Sequence, residues 1–460
     1  MLDRVIGVVL IVTAFAVLLR EWTGDATASM VGSAGIVAFL ALAAPRARPS
    51  RQAFVAAGLG LVAAAVLFRP DWQDIALRGL AQGSFIAAFF IALASLRNPA
   101  SNSPAIARCG QYLATQPPGK RYLALTIGGH LFALILNYGA ISLLGGLTES
   151  IANRETNAEI REIRNRRMLL AIQRGFVATL AWSPLAFAMA ITTSIIPGSS
   201  WSGAAGFAIL NAVLVTFVGW ALDSLYKPKL SQPRPARAKP IGSWRDLKPL
   251  LALLLLLFSG VATLELLTGL RMIAVVMLLV PTLAVGWLFI HTRGPEGTAR
   301  RWLTHLRNFT IAEVPSYHSE LVLLVMAGFI GTVGSALLQP LMESQPAGLA
   351  SLPGPLVLVA LVWIIPLLGQ IGMNPLLSVS LLAPLLPSAE TLGVSPNAII
   401  VALTAGWALT GASSPFTATT MLVGRLGHAS ALQVGLVWNR GFNLVAGLAL
   451  SLSVLVAAML

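Results

Sequence analysis

Charged residues are scarce in this chain. Only 10% of its 460 residues are Asp, Glu, Lys or Arg, whereas 56% are hydrophobic. A soluble globular protein carries about 25% charged residues, so this composition excludes an ordinary soluble domain. The mean hydropathy of +0.80 agrees with that conclusion. The composition predicts an all-α polytopic membrane protein.

Cysteine and the common catalytic motifs are also missing. The single cysteine, Cys109, excludes a disulfide framework and a cysteine-based metal site. The chain has no Walker A lysine loop, no His-Glu-x-x-His motif and no glycine fingerprint for nucleotides. Its five histidines are scattered rather than convergent. We therefore expect neither an enzyme nor ATP-driven transport, and no cofactor other than a coupling ion.

Apolar stretches divide the chain into an N-terminal helix and two similar halves. Residues 1–27 hold a short apolar helix that we expect to be retained, although cleavage as a signal peptide at 26–28 is the alternative. Each half has three spans, a hairpin, an interrupted span and a last span, which predicts eleven spans and two hairpins. The halves, 28–225 and 249–460, are joined by a linker at 226–248 that is rich in Pro, Lys and Arg.

Four apolar segments are interrupted by residues that break helices. Gly411 and Pro415 interrupt one of them, and its Ser414-Pro415 pair is matched by Ser183-Pro184 in the first half. Such breaks survive at bilayer depth only where the backbone is buried in protein or lines a polar cavity. Paired broken segments in the two halves are the best sequence pointer to a transporter's binding site. The hairpins are 123–147 and 355–386, the broken spans are 168–196 and 398–422, and the last spans are 206–222 and 441–460.

The distribution of basic residues predicts the orientation of these segments. The net charge of +14 lies in short loops, which is the positive-inside signature of membrane proteins rather than a sign of nucleic-acid binding. Nearly all Lys and Arg fall on one side if both hairpins enter and leave the membrane on the same side. If 123–147 crossed the membrane instead, Arg161, Arg164 and Arg167 would lie outside. We therefore expect an inverted-topology repeat with a cytoplasmic N-terminus in a bacterial inner membrane.

Polar residues at the interruptions are the candidate binding residues. Freed helix N-termini favour an anion, and unwound carbonyls together with hydroxyl and amide oxygens suit a bare Na⁺. Serine and threonine in membrane helices also bond to their own helix carbonyls or to a neighbouring helix, which is the structural alternative for each. The candidates for substrate or ion binding are Asn137, Gly139, Ser142, Ser183, Thr192, Thr193, Asn374, Ser378, Ser413, Ser414 and Thr417.

The order of these elements resembles the ion transporter superfamily, which includes divalent-anion/sodium symporters, citrate carriers, and arsenite and sodium/proton antiporters. The resemblance covers nearly the whole chain as architecture. Asn137-Tyr138-Gly139-Ala140 resembles the Asn-Asp-Gly-Ala hairpin of the arsenite and sodium/proton branch. The resemblance implies that hairpin tips and helix breaks meet at mid-membrane and hold substrate and ions. It also implies that this part slides as an elevator against a dimeric scaffold.

The expected function is secondary active transport of a small anion, a carboxylate or oxyanion, coupled to Na⁺ or H⁺ in a membrane-embedded homodimer. A cation/proton antiporter is the first alternative, but the four interrupted segments contain no Asp or Glu. A membrane-embedded lipid-handling protein is the second. Apart from the Tyr138 phenol, the ionisable residues in these segments are His130 and Arg174. Arg174 is expected to snorkel towards the inner surface or to contact an anion, and Asn439 is expected at the interface.

Overall fold

A computed structural model describes residues 1–117, 119–228, 231, 241–291, 298–343 and 351–460. Residues 229, 230 and 232–240 of the predicted linker at 226–248 lie outside the described residues. All regular structure in the described residues is helical. The predicted all-α polytopic fold is therefore confirmed.

The first part of the chain forms ten α-helices. A 3-10 turn at Ala44–Arg46 follows the second of them. The helices are α1 (Leu2–Thr23), α2 (Ala26–Ala43), α3 (Pro49–Phe68), α4 (Trp72–Ser101), α5 (Pro104–Ala114), α6 (Arg121–Leu136), α7 (Gly139–Ala152), α8 (Ala158–Leu180), α9 (Phe187–Ile195) and α10 (Trp201–Leu225).

The second part also forms ten α-helices among the described residues. Short 3-10 turns occur at Trp244–Leu247 and Ala383–Leu385, and π-helical turns at Phe309–Glu313 and Gln433–Trp438. The helices are α11 (Lys248–Thr268), α12 (Met272–His291), α13 (Thr298–Asn308), α14 (Val314–Ser316), α15 (His318–Glu343), α16 (Gly354–Gln370), α17 (Pro375–Leu382), α18 (Pro396–Ser413), α19 (Ala418–Leu426) and α20 (Arg440–Met459).

Ten candidate membrane spans occur in the described residues. They correspond to ten of the eleven predicted spans, and Pro396–Leu426 includes the predicted break within one span. The eleventh predicted span, 168–196, is divided between α8 and α9. The first turns of α8 carry charged residues, so this helix is not among the candidate membrane spans. The shorter apolar helices Arg121–Leu136, Gly139–Ala152, Gly354–Gln370 and Pro375–Leu385 lie where the two hairpins were predicted.

The chain forms two compact units, of which the first consists of Met1–Pro99, Leu257–Gly348 and Leu376–Leu386. Within this unit α1 packs against α2, and α3 packs against α15. The α15 helix also meets α17 at Gly331. A Cβ atom at Gly331 would lie 2.3 Å from Cβ of Ser380, so only glycine permits this approach.

The second unit consists of Ala100–Leu256, Leu349–Pro375 and Pro387–Leu460. Its centre is α18, which packs against α8, α9, α10, α16 and α20. The apolar part of the Pro396–Leu426 segment is 89% buried. Ser395 caps the start of α18 by accepting a hydrogen bond from the Ala398 amide. Three of the four predicted interrupted segments, 123–147, 168–196 and 398–422, fall entirely in this unit.

Both compact units contain residues from both halves of the sequence. The predicted halves, 28–225 and 249–460, are two repeats of one order of elements, and such repeats need not coincide with the compact units. It stays a prediction, as does the entry of each hairpin from one side of the membrane.

Candidate functional site

The tip of the first hairpin holds the candidate Asn137. Its backbone has φ +50° and ψ −131°, and α7 begins two residues later. A positive φ is unfavourable for a residue with a Cβ atom, although asparagine tolerates it better than most. The half-buried Asn137 side chain has no hydrogen-bond partner among the described residues. The tip therefore presents a side-chain amide on a strained backbone, and this amide makes no hydrogen bond to the described residues.

The other candidates at this tip have different surroundings. Gly139 is buried at the start of α7, and Ser142 is exposed on the next turn. Between Asn137 and Gly139, the Tyr138 ring stacks on Phe176 of α8 at a centroid distance of 5.1 Å. The tip is thus anchored to α8 by an aromatic contact.

The first helix break separates α8 from α9. The Ser183 hydroxyl is buried and accepts a hydrogen bond of 3.1 Å from the Leu185 amide, which closes the turn locally. Trp182 fixes the turn from outside. Its indole donates to Nε2 of His130 on α6 at 3.2 Å, and its carbonyl accepts from the Trp201 indole at 2.9 Å. This break is held by aromatic residues.

The candidates Thr192 and Thr193 lie on α9, beyond the break. Thr192 donates to the Ala188 carbonyl at 2.8 Å, and Thr193 donates to the Met189 carbonyl at 2.7 Å. These bonds return to their own helix, the common arrangement for threonine in a membrane helix. The structure does not bring these two hydroxyls to Asn137 or Ser183.

The second helix break, between α18 and α19, frees carbonyl groups that side chains then bind. Pro415 has no amide hydrogen, so the Gly411 carbonyl loses its helical partner. The Thr419 hydroxyl donates to that carbonyl instead. Thr420 and Thr417 donate to the Ser414 carbonyl at 2.6 and 3.0 Å. The Thr417 hydroxyl also lies 2.9 Å from that of Thr419 and 3.1 Å from that of Thr420.

We call these five oxygens the hydroxyl cluster: the Gly411 and Ser414 carbonyls and the hydroxyls of Thr417, Thr419 and Thr420. They are all neutral, and each is hydrogen-bonded to another member of the set. Unwound carbonyls and hydroxyls of this kind coordinate Na⁺ in transporters with broken helices. The described residues contain no group of three or more His, Cys, Asp or Glu that could hold a metal ion.

The end of α16 is bonded directly to the second break. The Ser414 hydroxyl donates to the Gly369 carbonyl at 2.7 Å and accepts from the Phe416 amide at 3.2 Å. The Gln370 amide nitrogen donates to the Ser413 hydroxyl at 3.4 Å, and the Gln370 side-chain oxygen is buried with no partner among the described residues. Ser413 and Ser414 thus meet the first arm of the second predicted hairpin.

The remaining candidates, Asn374 and Ser378, belong to different compact units. Asn374 is half-buried just before α17, and Ser378 is buried on α17. Asn374 lies in the second unit and Ser378 in the first. The second predicted hairpin is therefore divided between the units.

The structure contains a buried polar cluster that was not predicted as a group from the sequence. Its members are Tyr122, Gln173, Arg174 and Asn439. Asn439 is fully buried, and its predicted place at the membrane interface stays a prediction. Its amide nitrogen donates to Gln173 at 2.9 Å and to the Ala412 carbonyl beside the second break at 3.3 Å. Its oxygen accepts from Nε of Arg174 at 3.1 Å, and Nη1 of Arg174 donates to Tyr122 at 2.8 Å.

The signal for this cluster was present only in part. Arg174 is conspicuous as a charge within an apolar segment, yet it does not snorkel, since its side chain is buried in contact with the Phe442 ring. Asn439 lies 3, 7 and 11 residues before Phe442, Ala446 and Leu450, so the ordinary α-helical period places it on the buried face of α20.

Comparison with solved structures shows that the fold is similar to that of a known membrane transporter. The chain is similar to the Alcanivorax borkumensis YdaH transporter, with a TM-score of 0.57 and 18% identity, over 87% of this chain and 97% of that chain. It is also similar to Neisseria gonorrhoeae MtrF, described as representing a class of antimetabolite efflux pumps. That match has a TM-score of 0.44 and 11% identity over 87% of this chain and 94% of that chain.

Sequence comparison adds no family to this result. No protein-family profile matches the chain, and no curated protein matches it. The comparisons do not support the expected membership of the ion transporter superfamily. The chain is a polytopic helical membrane protein with the fold of a known transporter.

Proposed function

We propose that the protein is a secondary active transporter that moves a small anion, a carboxylate or oxyanion, across the bacterial inner membrane. The observation that carries this proposal is the packing of α8 and α18, two broken helices, within one unit of a transporter-like fold. A Cβ atom at Gly411 on α18 would lie 3.0 Å from Leu180 and 3.3 Å from Val177 on α8. Broken helices place backbone dipoles and polar side chains at membrane depth, where substrate can reach them.

The hydroxyl cluster favours sodium as the coupling ion. Rotation of the threonine hydroxyl hydrogens would turn their lone pairs towards a cation. The interrupted segments contain no Asp or Glu, so a bound Na⁺ would leave the site net positive and attract an anion. A cation/proton antiporter would need a carboxylate here, and this absence is why we rank it second.

The anion and its ion dependence can be tested together. Purified protein in detergent is screened by thermal shift against organic acids and oxyanions, with Na⁺ or choline as the counter-ion. Acids that raise the melting temperature are then tested for uptake into proteoliposomes under a sodium gradient. We expect at least one anion to bind more tightly in Na⁺. Binding of amines or lipids but of no anion would contradict the proposal.

The proposal includes an elevator motion of a homodimer and an inverted repeat. Cysteine labelling tests the repeat, because it requires opposite sides for two exposed positions. Cysteine introduced at Glu162 should react only from the cytoplasm, and cysteine at Thr391 only from outside. Labelling of both positions from one side would refute the inverted repeat while leaving anion transport open.

A further inference from the structure

The charge of Arg174 has no counter-charge in the part of the chain that the structure describes. The side chain is only 6% exposed, and its contacts are the neutral groups of Asn439 and Tyr122 and the face of Phe442 at 4.6 Å. Asp223 on the neighbouring α10 is engaged elsewhere. It accepts two hydrogen bonds from Arg167, of 2.8 and 2.7 Å. A buried charge without a partner is costly, and within membrane segments it marks a functional pathway by default.

The cluster also lacks hydrogen-bond acceptors rather than donors. Arginine has five N–H groups, and only Nε and one hydrogen of Nη1 have acceptors among the described residues. The Gln173 amide nitrogen is fully buried and has no hydrogen-bond partner among the described residues. Its orientation follows from Asn439, whose oxygen must face the donor-only Arg174 and whose nitrogen therefore faces the Gln173 oxygen. The unused groups of the cluster are thus N–H donors beside a positive charge.

The cluster adjoins the proposed transport site through a single side chain. Asn439 bonds both Arg174 and the Ala412 carbonyl, and Ala412 immediately precedes Ser413 and Ser414 at the second break. A negatively charged acceptor bound here would satisfy the orphan donors and neutralise the guanidinium at once. Arginine suits carboxylates and oxyanions because its planar fork offers paired donors.

We propose that Arg174 and the Gln173 amide form the anion-binding part of the transport site and contact one carboxylate or oxyanion group of the substrate. This inference rests on the proposed function and assigns its charge recognition to α8. It also gives the site a positive charge in the absence of sodium. Anion binding should therefore persist, though more weakly, when Na⁺ is replaced by choline.

Two substitutions of Gln173 separate anion recognition from simple packing. Gln173→Glu keeps the oxygen that accepts from Asn439 and replaces the orphan nitrogen with a carboxylate oxygen beside Arg174. Gln173→Met keeps the length of the side chain but removes its polar group and adds no charge. The probes are succinate and sulfate, each titrated as the potassium and the sodium salt into purified protein in detergent. The melting temperature without a probe reports folding.

Gln173→Glu should weaken binding of the bound probe by about tenfold or more, because its own carboxylate occupies the place of the anion. It should also raise the melting temperature of the unliganded protein, whereas Gln173→Met should weaken binding only about threefold to tenfold, because it removes one donor and leaves Arg174 in place. Wild-type binding in Gln173→Glu, or binding that is weakened more by Gln173→Met than by Gln173→Glu, would overturn this inference and leave anion transport standing. If wild-type protein binds neither probe nor any acid of the thermal-shift panel, both proposals fail.

Discussion

The two halves place similar residues in different surroundings. In the first half, the Asn137 amide has no hydrogen-bond partner in the part of the chain that the structure describes, and the adjoining break is held by the hydrogen bond from the Trp182 indole to His130. In the second half, the end of α16 and the break are bonded to each other through Ser414, whose hydroxyl donates to Gly369. The first tip therefore has an unused polar group, whereas the second break satisfies its own polar groups.

This difference shows that a matched sequence pattern predicts a break but not its chemistry. Ser183 and Ser414 both precede a proline, and both accept the amide two residues later. Only Ser414 also reaches another helix. The carbonyls freed at the second break meet three threonine hydroxyls, while Thr192 and Thr193 of the first half bond to their own helix. The two halves thus offer different groups to a ligand. The first half has the unused Asn137 amide, and the second half has the hydroxyl cluster.

The largest expected effect comes from Asn137→Gly. Glycine accepts the positive φ of this position without strain, so the variant should fold at least as well as wild type and gain up to about 1 kcal/mol. It lacks the unused amide, and we expect transport to fall below detection in proteoliposomes. Wild-type transport by this variant would show that the amide is not a ligand and would remove the difference between the halves.

His428→Gly is the matched control for that experiment. Among the described residues other than glycine, only Asn137 and His428 have a positive φ. The φ of His428 is +52°, and its side chain is exposed. The substitution removes a second non-glycine side chain from a backbone position with positive φ without touching either break, at the cost of the exposed contact between His428 Nε2 and Glu149 at 3.3 Å. It should leave transport unchanged, so a loss of transport in both variants would point to a general effect of added glycine.

The next effect concerns sodium and the second break. Thr417→Val removes a hydroxyl that contacts three other members of the hydroxyl cluster but keeps the shape of the side chain. We expect the strengthening of anion binding by Na⁺ to fall by about tenfold, while the fold loses only about 0.6 kcal/mol. The measurement is anion affinity as Na⁺ replaces choline at fixed pH.

Thr417→Ser and Thr193→Val complete the sodium experiment. Serine restores the oxygen and should restore the Na⁺ effect. Thr193→Val removes a hydroxyl of the first half that bonds to its own helix, so it should leave the effect intact. Loss of the Na⁺ effect in Thr193→Val, with retention in Thr417→Val, would move the ion to the first half.

A smaller effect distinguishes the two serines before proline. Ser183→Ala and Ser414→Ala each remove the bond to the amide two residues on, but Ser414→Ala also removes the bond to Gly369. Since a buried hydrogen bond contributes about 1 kcal/mol, Ser414→Ala should destabilise the protein by about that much more than Ser183→Ala. Unfolding in a denaturing detergent measures the difference. Equal destabilisation would show that the bond to α16 contributes nothing.

Sequence predicted the spans and breaks because each depends on local chemistry. Apolar length predicts a span, and Pro184 and Pro415 remove amide hydrogens wherever they occur. The partners of the polar groups depend on which helices meet, and that information is not local. Asn439 is the clearest case, since its partners Arg174 and Gln173 lie 265 and 266 residues earlier in the chain. Thr192 and Thr193 show the converse, because a polar residue near a break can still bond to its own helix.

The smallest expected signal is maleimide labelling of Cys109. This native thiol must stay unreactive if introduced cysteines are to report the topology of the two halves. The thiol is fully buried on α5, and burial, together with the negative charge of Asp246, raises its pKa to about 12. Because the thiolate is the reactive form, only about one thiol in ten thousand is ionised near pH 8. We therefore expect negligible maleimide labelling of the native wild-type protein, and rapid labelling in denaturing detergent, where the pKa returns to about 8.5. Reaction of native Cys109 as fast as a cysteine at the exposed position of Glu162 would contradict its burial, and topology would then have to be mapped in Cys109→Ser.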